Sequence, residues 1–261
     1  MDQAAGRHPS EPDSQDAPPL PEPTPQVPPD RPEPPPAIRA DGICMSGPWG
    51  PVYGPVDLIV PAGGLSVLVC PASAGRNALL MTLAGRMKPK SGSLAVFGAS
   101  RARDIFKISA LAGIDEIDTV SESVTVRDLI TEQLRWDAPW YRFVRQAGEA
   151  ELVRVCAPIF GDLPLPPLME YFELLSELDR LLLRIALANT RRPPLLVVGN
   201  MDFVTSDFYR DVLAERLIDL GRTQTVITAT VNGVRNPAVR THIKVDNTDR
   251  AELVKSQKRK G

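Results

Sequence analysis

The 261 residues are 43% hydrophobic, enough to bury one good core with a small subdomain. The formal charge of −2 excludes the strongly basic face expected of a nucleic-acid binder. Cys44, Cys70 and Cys156 are odd in number and widely spaced, which excludes a CxxC or Cys/His metal site and reads as buried thiols in a reducing compartment. Met1–Arg7 lacks the apolar region of a signal peptide, and no run approaches about eighteen apolar residues, so the expectation is a cytoplasmic protein.

In chain order, residues 1–40 hold thirteen of the 27 prolines, with seven acidic and three basic side chains and almost nothing apolar. They read as a disordered arm whose stretch Pro32–Pro36 is a passive tether rather than a ligand for an SH3-type groove. A globular body follows from 41 to 250. It begins with short strands between Gly42 and Val60, broken by a Gly/Pro-rich loop at Ser46–Pro51. The apolar pattern then predicts a strand over 65–69, a helix over 76–87, a turn at Pro89–Gly92, and strands over 93–97 and 108–111. Thr125 or Ser123 can cap a helix with Asp128 in its first turn. A mostly helical stretch, 125–190, is expected to break at Pro158 and at Pro164–Pro167. Pro193–Val198 reads as a central parallel strand, followed by a helix over 206–220 and a strand over 225–230. Residues 251–261 form a basic, solvated tail. The class is α/β, with no internal repeat.

The strand–loop–helix around residues 68–80 has the frame of a phosphate-binding P-loop, G-x-x-x-x-G-K-[ST]. In that motif glycines expose backbone N–H groups to phosphates, Lys adds charge and Ser/Thr holds magnesium. Here Cys70 stands for the first Gly, Gly75 is kept, Arg76 stands for Lys and Asn77 for Ser/Thr. The candidate nucleotide-binding residues are Cys70, Pro71, Ala72, Ser73, Ala74, Gly75, Arg76, Asn77 and Ala78.

Further blocks stand in register over about 42–247, and together they resemble the ATP-binding cassette (ABC) ATPases of transporters. Leu83–Gly98 resembles the family's segment after the P-loop. Val124–Leu129 resembles its L-T-V-R-E-N/D-L stretch, and Leu175–Arg180 stands where L-S-G-G-Q-R would be, followed by Arg184–Ala188. Leu195–Asn200 takes the place of the Walker B strand and Thr225–Asn232 that of the strand ending in the switch histidine. The resemblance implies a P-loop NTPase cassette of ABC type, with an antiparallel β subdomain and a helical subdomain. It also implies ATP with Mg²⁺ as ligand, held weakly if at all by this residue set.

The same register shows departures. Gly199 falls where the family has its magnesium-holding carboxylate, Asn200 at the catalytic glutamate, and Val231 at the switch histidine. Glu116 is the nearest counterpart of the Q-loop glutamine, and the two histidines, His8 and His242, lie elsewhere. Asp202, which lies beyond the strand end, and Asp207, which reads as a D-loop or helix-start residue, are poor candidates for displaced carboxylates. In the signature block Ser176 is kept as a nucleotide-facing candidate, while Glu177 and Leu178 replace glycines and Glu177 is expected to repel a phosphate.

Trp49 and Tyr53 are candidates for stacking on adenine. Trp136, Trp140, Tyr141 and Phe143 read by default as core, with docking on a membrane permease or second cassette as the rival use. No catalytic residue and no protein-held metal is assigned. The leading expectation is a membrane-associated docking or regulatory protein at the inner face of the cell membrane, with hydrolysis lost. It would partner a membrane-spanning transporter subunit, with a second cassette or its own copy as a further partner. The alternatives are an active ATPase energising transport and a soluble scaffold unconnected with transport.

Overall fold

Alternation of buried and exposed residues, broken by a bulge between Ala40 and Ile43, builds the first sheet. In a computed structural model that describes residues 35–114, 123–249 and 253, Ile38, Ala40 and Ile43 of β1 (Ile38–Gly47) point inward together with Val56, Leu58 and Val60 of β2 (Gly50–Val60). The two strands pair antiparallel, with Ile38 opposite Val60 and Ala40 opposite Leu58. β4 (Ser91–Val96) pairs on the other side of β1, with Ile38 opposite Val96. The expected break at Ser46–Pro51 shrinks to a tight turn at Pro48 and Trp49, because Ser46 still pairs with Pro51 and Gly47 with Gly50. Pro51 and Pro55 are tolerated because β2 is an edge strand, where a missing N–H costs no ladder bond. β1 starts inside the segment assigned to the arm, since Ala37, Ile38 and Ala40 bury in the core. Residues 1–34, the tail from Lys255 and Glu116 lie outside the described residues.

The second sheet is parallel, in the order β5 (Ser109–Ala112), β6 (Leu195–Asn200), β7 (Thr225–Thr230), β3 (Gly64–Val69), β8 (Thr241–Lys244). Both of its faces are covered, which is why β6 and β7 are apolar or buried along their whole length. On one face Leu68, Leu111, Val197 and Ile227 pack with the antiparallel sheet and α1 (Ala74–Leu83). On the other, Leu65, Val67, Leu196 and Val226 pack with α3 (Val126–Asp137), α4 (Glu149–Phe160), α5 (Glu177–Ala188) and α6 (Asp207–Gly221).

The elements differ from expectation at four places. Helix α1 begins at Ala74 and ends at Leu83, four residues short of Met87, because Gly85 takes φ +68, which a helix cannot continue through. Pro158 does not break α4. It sits in the last turn, where the helix forfeits one backbone bond while Val155, Cys156, Ile159 and Phe160 around it stay buried and Gly161 N–H still bonds Ala157 O. The short α2 (Ala102–Lys107) and the polar edge strand β8 were not foreseen, since neither carries an apolar period: α2 buries Ile105 alone, and β8 alternates half-buried and exposed.

Candidate functional site

The carboxyl ends of β3, β7 and β6 lie side by side, the place where parallel α/β sheets put their ligands. Cys70, Pro71 and Ala72 link β3 to α1, Ser73 is the helix N-cap, and Ala74, Gly75, Arg76, Asn77 and Ala78 form its first turns. The nine loop candidates are therefore gathered at one helix N-terminus, the arrangement that favours an anion. Ser176 is not among them. It caps α5, where its hydroxyl donates to Asp179 (2.7 Å) and accepts the Asp179 N–H (3.0 Å).

Ser73 already takes two of the loop's amide donors. Ser73 Oγ and Ser73 O both accept the Arg76 N–H at 3.1 Å, and Asn77 N–H reaches Ser73 O at 3.4 Å. Ser73 Oγ donates in turn to Thr248 O at 2.7 Å. Thr248 belongs to the segment after β8, held down by Val245 N–H to Val69 O, by Gly54 N–H to Asn247 O and by Asn247 Nδ2 to Pro55 O. Gly75 shows how close this packing is: a Cβ built there would lie 2.2 Å from Thr248 O and 2.3 Å from Val52 O. The glycine serves an approach of the chain's own carbonyls.

Arg76 is 3% exposed and pairs with Asp202 at 3.1 Å. Asp202 lies in the short turn Met201–Phe203 that follows β6. Its other bonds come from Thr230 Oγ1 (2.7 Å) and Val231 N–H (3.1 Å), at the end of β7, while its own N–H donates to Asn200 Oδ1 (2.8 Å). Asp202 nevertheless reaches the cradle, bound to the loop's cation. Sequence spacing hid this because the turn folds back across the β6–β7 ends. Asp207 begins α6 and pairs with Arg210 on the same helix. The Cys70 thiol beside the pair is pushed up to about 11, by burial first and by the Asp202 charge, against the pull of Arg76.

At the end of β6, Gly199 leaves no room for a side chain, since a Cβ would meet Gly113 O at 1.8 Å. Asn200 is buried and spends its amide oxygen as a cap. Glu177 accepts Thr205 N–H and Thr205 Oγ1, each at 3.0 Å, and those two bonds hold its carboxyl below the usual range. Tyr53 is no adenine platform, being buried with its hydroxyl donating to Thr82 Oγ1 at 2.8 Å. Trp49 is 80% exposed, and His242 accepts the Val234 N–H through Nε2. The default core reading of the aromatic cluster is also corrected: Trp136, Trp140, Tyr141 and Phe143 are all exposed, Trp140 to 96%.

No family model matches the chain. Among curated proteins it is 31% identical over 125 residues to the cytochrome c biogenesis ATP-binding export protein CcmA of Cupriavidus pinatubonensis, covering 48% of this chain and 52% of that one. It is 33% identical over 138 residues to the hemin import ATP-binding protein HmuV of Rhodococcus jostii, covering 49% and 45% respectively. The matches span about half the length of these relatives. Among solved structures, a dimeric bacterial ABC transporter cassette superposes with a TM-score of 0.64 at 15% identity, covering 80% of this chain and 94% of that one. The protein cbiO1 of Clostridium perfringens, part of the ABC transporter complex cbiONQ, superposes with 0.62 at 13% identity, covering 85% and 92%. This chain is a homologue of ABC transporter ATP-binding proteins and has the fold of an ABC ATPase cassette.

Proposed function

We propose that this chain is a cassette subunit in which the hydrolytic machinery has been dismantled, and that it serves as a docking or regulatory partner of a membrane transporter component. The observation that carries the reading is the end of β6: Gly199 is packed against Gly113 O so closely that no carboxylate fits, and Asn200 is committed to a cap. An amide cannot take a proton from water, and loss of a general base alone costs about 10² to 10⁴ in rate.

The residues present do not suit magnesium. Both Asp202 oxygens are engaged, one by Thr230 and the other by Arg76 and Val231, so a cation there would face the guanidinium. Among the described residues no three His, Cys, Asp or Glu side chains gather as a metal site. ATP, implied by the homologues' names, is on this reading bound weakly, through the loop 70–78 and Arg76.

Docking is supported by the exposed run from Trp136 to Phe143, where Trp140 and Tyr141 stack edge to face at 6.0 Å. Exposed aromatic clusters of this kind mark interaction surfaces. Among the described residues no helix is long and apolar enough to cross a membrane; the partner on this reading is a membrane-spanning transporter subunit. The place of action on this reading is the inner face of the membrane, with a second cassette or copy as a further partner. The test is calorimetric titration with Mg·ATP together with a phosphate-release assay. Binding weaker than about 1 mM, or binding with no turnover, upholds the reading; turnover near one per second overturns it.

A further inference from the structure

A phosphate cradle works because its amides and its cation are left for an anion from outside. In this chain the cation has an internal partner in Asp202, and the Arg76 and Asn77 amides have theirs in Ser73. We propose that Asp202 is a built-in stand-in for a phosphate: its carboxylate holds Arg76 and keeps the cradle shut, so that a polyphosphate can reach the cation only by displacing it. The inference rests on the reading of a non-hydrolysing cassette and states how its site is regulated.

Three observations carry it. Arg76 is 3% exposed, so its guanidinium has no outward pose short of leaving the pair, and even in the pair its Nε finds no acceptor. Asp202 is placed independently of Arg76. Thr230 Oγ1, Val231 N–H and the Asn200 cap fix it from the ends of β6 and β7, so the negative charge is delivered to the loop by the sheet itself. The helix N-terminus is also crowded by oxygen: Thr248 O and Val52 O press on Gly75, and Ser73 Oγ takes the Arg76 N–H. These groups fill space at the helix start, and a polyphosphate entering beside Asp202 would meet like charge.

A plain structural ion pair predicts something different. Its loss would weaken the fold without unmasking a ligand site. The experiment therefore compares wild type with Asp202→Asn, which keeps the shape and one acceptor oxygen but removes the charge. The probe is sodium tripolyphosphate in EDTA, read by calorimetry and by the shift in melting temperature. Wild type should show no binding at about 1 mM, while D202N should bind at least about tenfold more tightly and melt higher with the probe than without it. Adding Arg76→Gln to D202N should abolish the gain.

Folded D202N with no gain overturns the proposal, and so does wild type binding the probe near 10 μM, an affinity about a hundredfold above the expected limit. Should D202N fail to fold, Thr230→Val loosens the carboxylate without removing it, and a smaller gain is expected; its absence in a folded protein overturns the proposal as well. A parallel phosphate-release assay separates the two readings. Tight ATP binding by wild type without turnover sinks the Asp202 closure alone, whereas turnover sinks the dismantled-cassette reading too.

Discussion

At the scale of single residues, the Arg76–Asp202 pair sets the energetic stakes. Removing one partner of a buried pair leaves the other uncompensated, and Arg76 is the deeper of the two at 3% against 22% for Asp202. Asp202→Ala should therefore cost about 3 kcal/mol in urea unfolding, with Arg76→Ala costing less because Asp202 keeps its bonds from Thr230 and Val231. Gly199→Asp, a change that restores the carboxylate of a working cassette, should lose at least about 2 kcal/mol and gain no turnover, since Gly113 O already occupies the space. A G199D protein of unchanged stability with measurable phosphate release would show that the β5–β6 edge opens readily. The sequence displayed the substitutions at 76, 77, 199 and 200 in plain sight. It did not display their consequence, because the fate of a charge depends on which neighbour it meets. Asp202 lies 126 positions from its partner and Thr248 175 positions from Ser73.

Among elements, the helices divide into those specified locally and those specified by packing. Helix α3 belongs to the first kind. Thr125 Oγ1 accepts the Asp128 N–H and donates to the Asp128 carboxylate, which also accepts the Thr125 N–H; the hydroxyl bond first and the backbone bond second hold the Asp128 carboxyl below its usual range. Thr125→Ala should cost about 1 kcal/mol by thermal or urea melting. Helix α4 belongs to the second kind: Pro158 argues for a break, and burial of Val155, Cys156, Ile159 and Phe160 overrides it. Local chemistry signals the first and cannot signal the second. The segment after α3 shows the reverse error, aromatic composition without burial. Trp140→Ser and Phe143→Ser should each change stability by no more than about 0.5 kcal/mol. A large loss in either would mean that these rings are covered in the folded protein.

Over the whole molecule, two thiols report on the core. Cys156 is pushed up to about 12 by burial and Cys70 to about 11, from an ordinary value of 9. The folded state thus holds these protons more tightly than the unfolded chain. The stability they contribute is fully present below about pH 9 and is lost as pH rises through 11 to 12. A denaturation series from neutral to alkaline pH should show this fall, and Cys156→Ser or Cys156→Ala should flatten part of it. At pH 8 a thiolate-selective reagent should modify the half-buried Cys44 before Cys70 or Cys156.

The amino-acid order alone determined the layout of this protein. Strands β3, β6 and β7 and helices α1, α3, α5 and α6 were readable from apolar period and capping residues, and the resemblance to ABC cassettes followed from blocks kept in register. These features are local, fixed by neighbours within a few positions along the chain. Only the tertiary structure decided what the phosphate-binding frame has become. Parallel strands bring together the ends of segments far apart in sequence, and the charge that meets Arg76, the carbonyls that press on Gly75 and the backbone that fills the space beside Gly199 all arrive by that route.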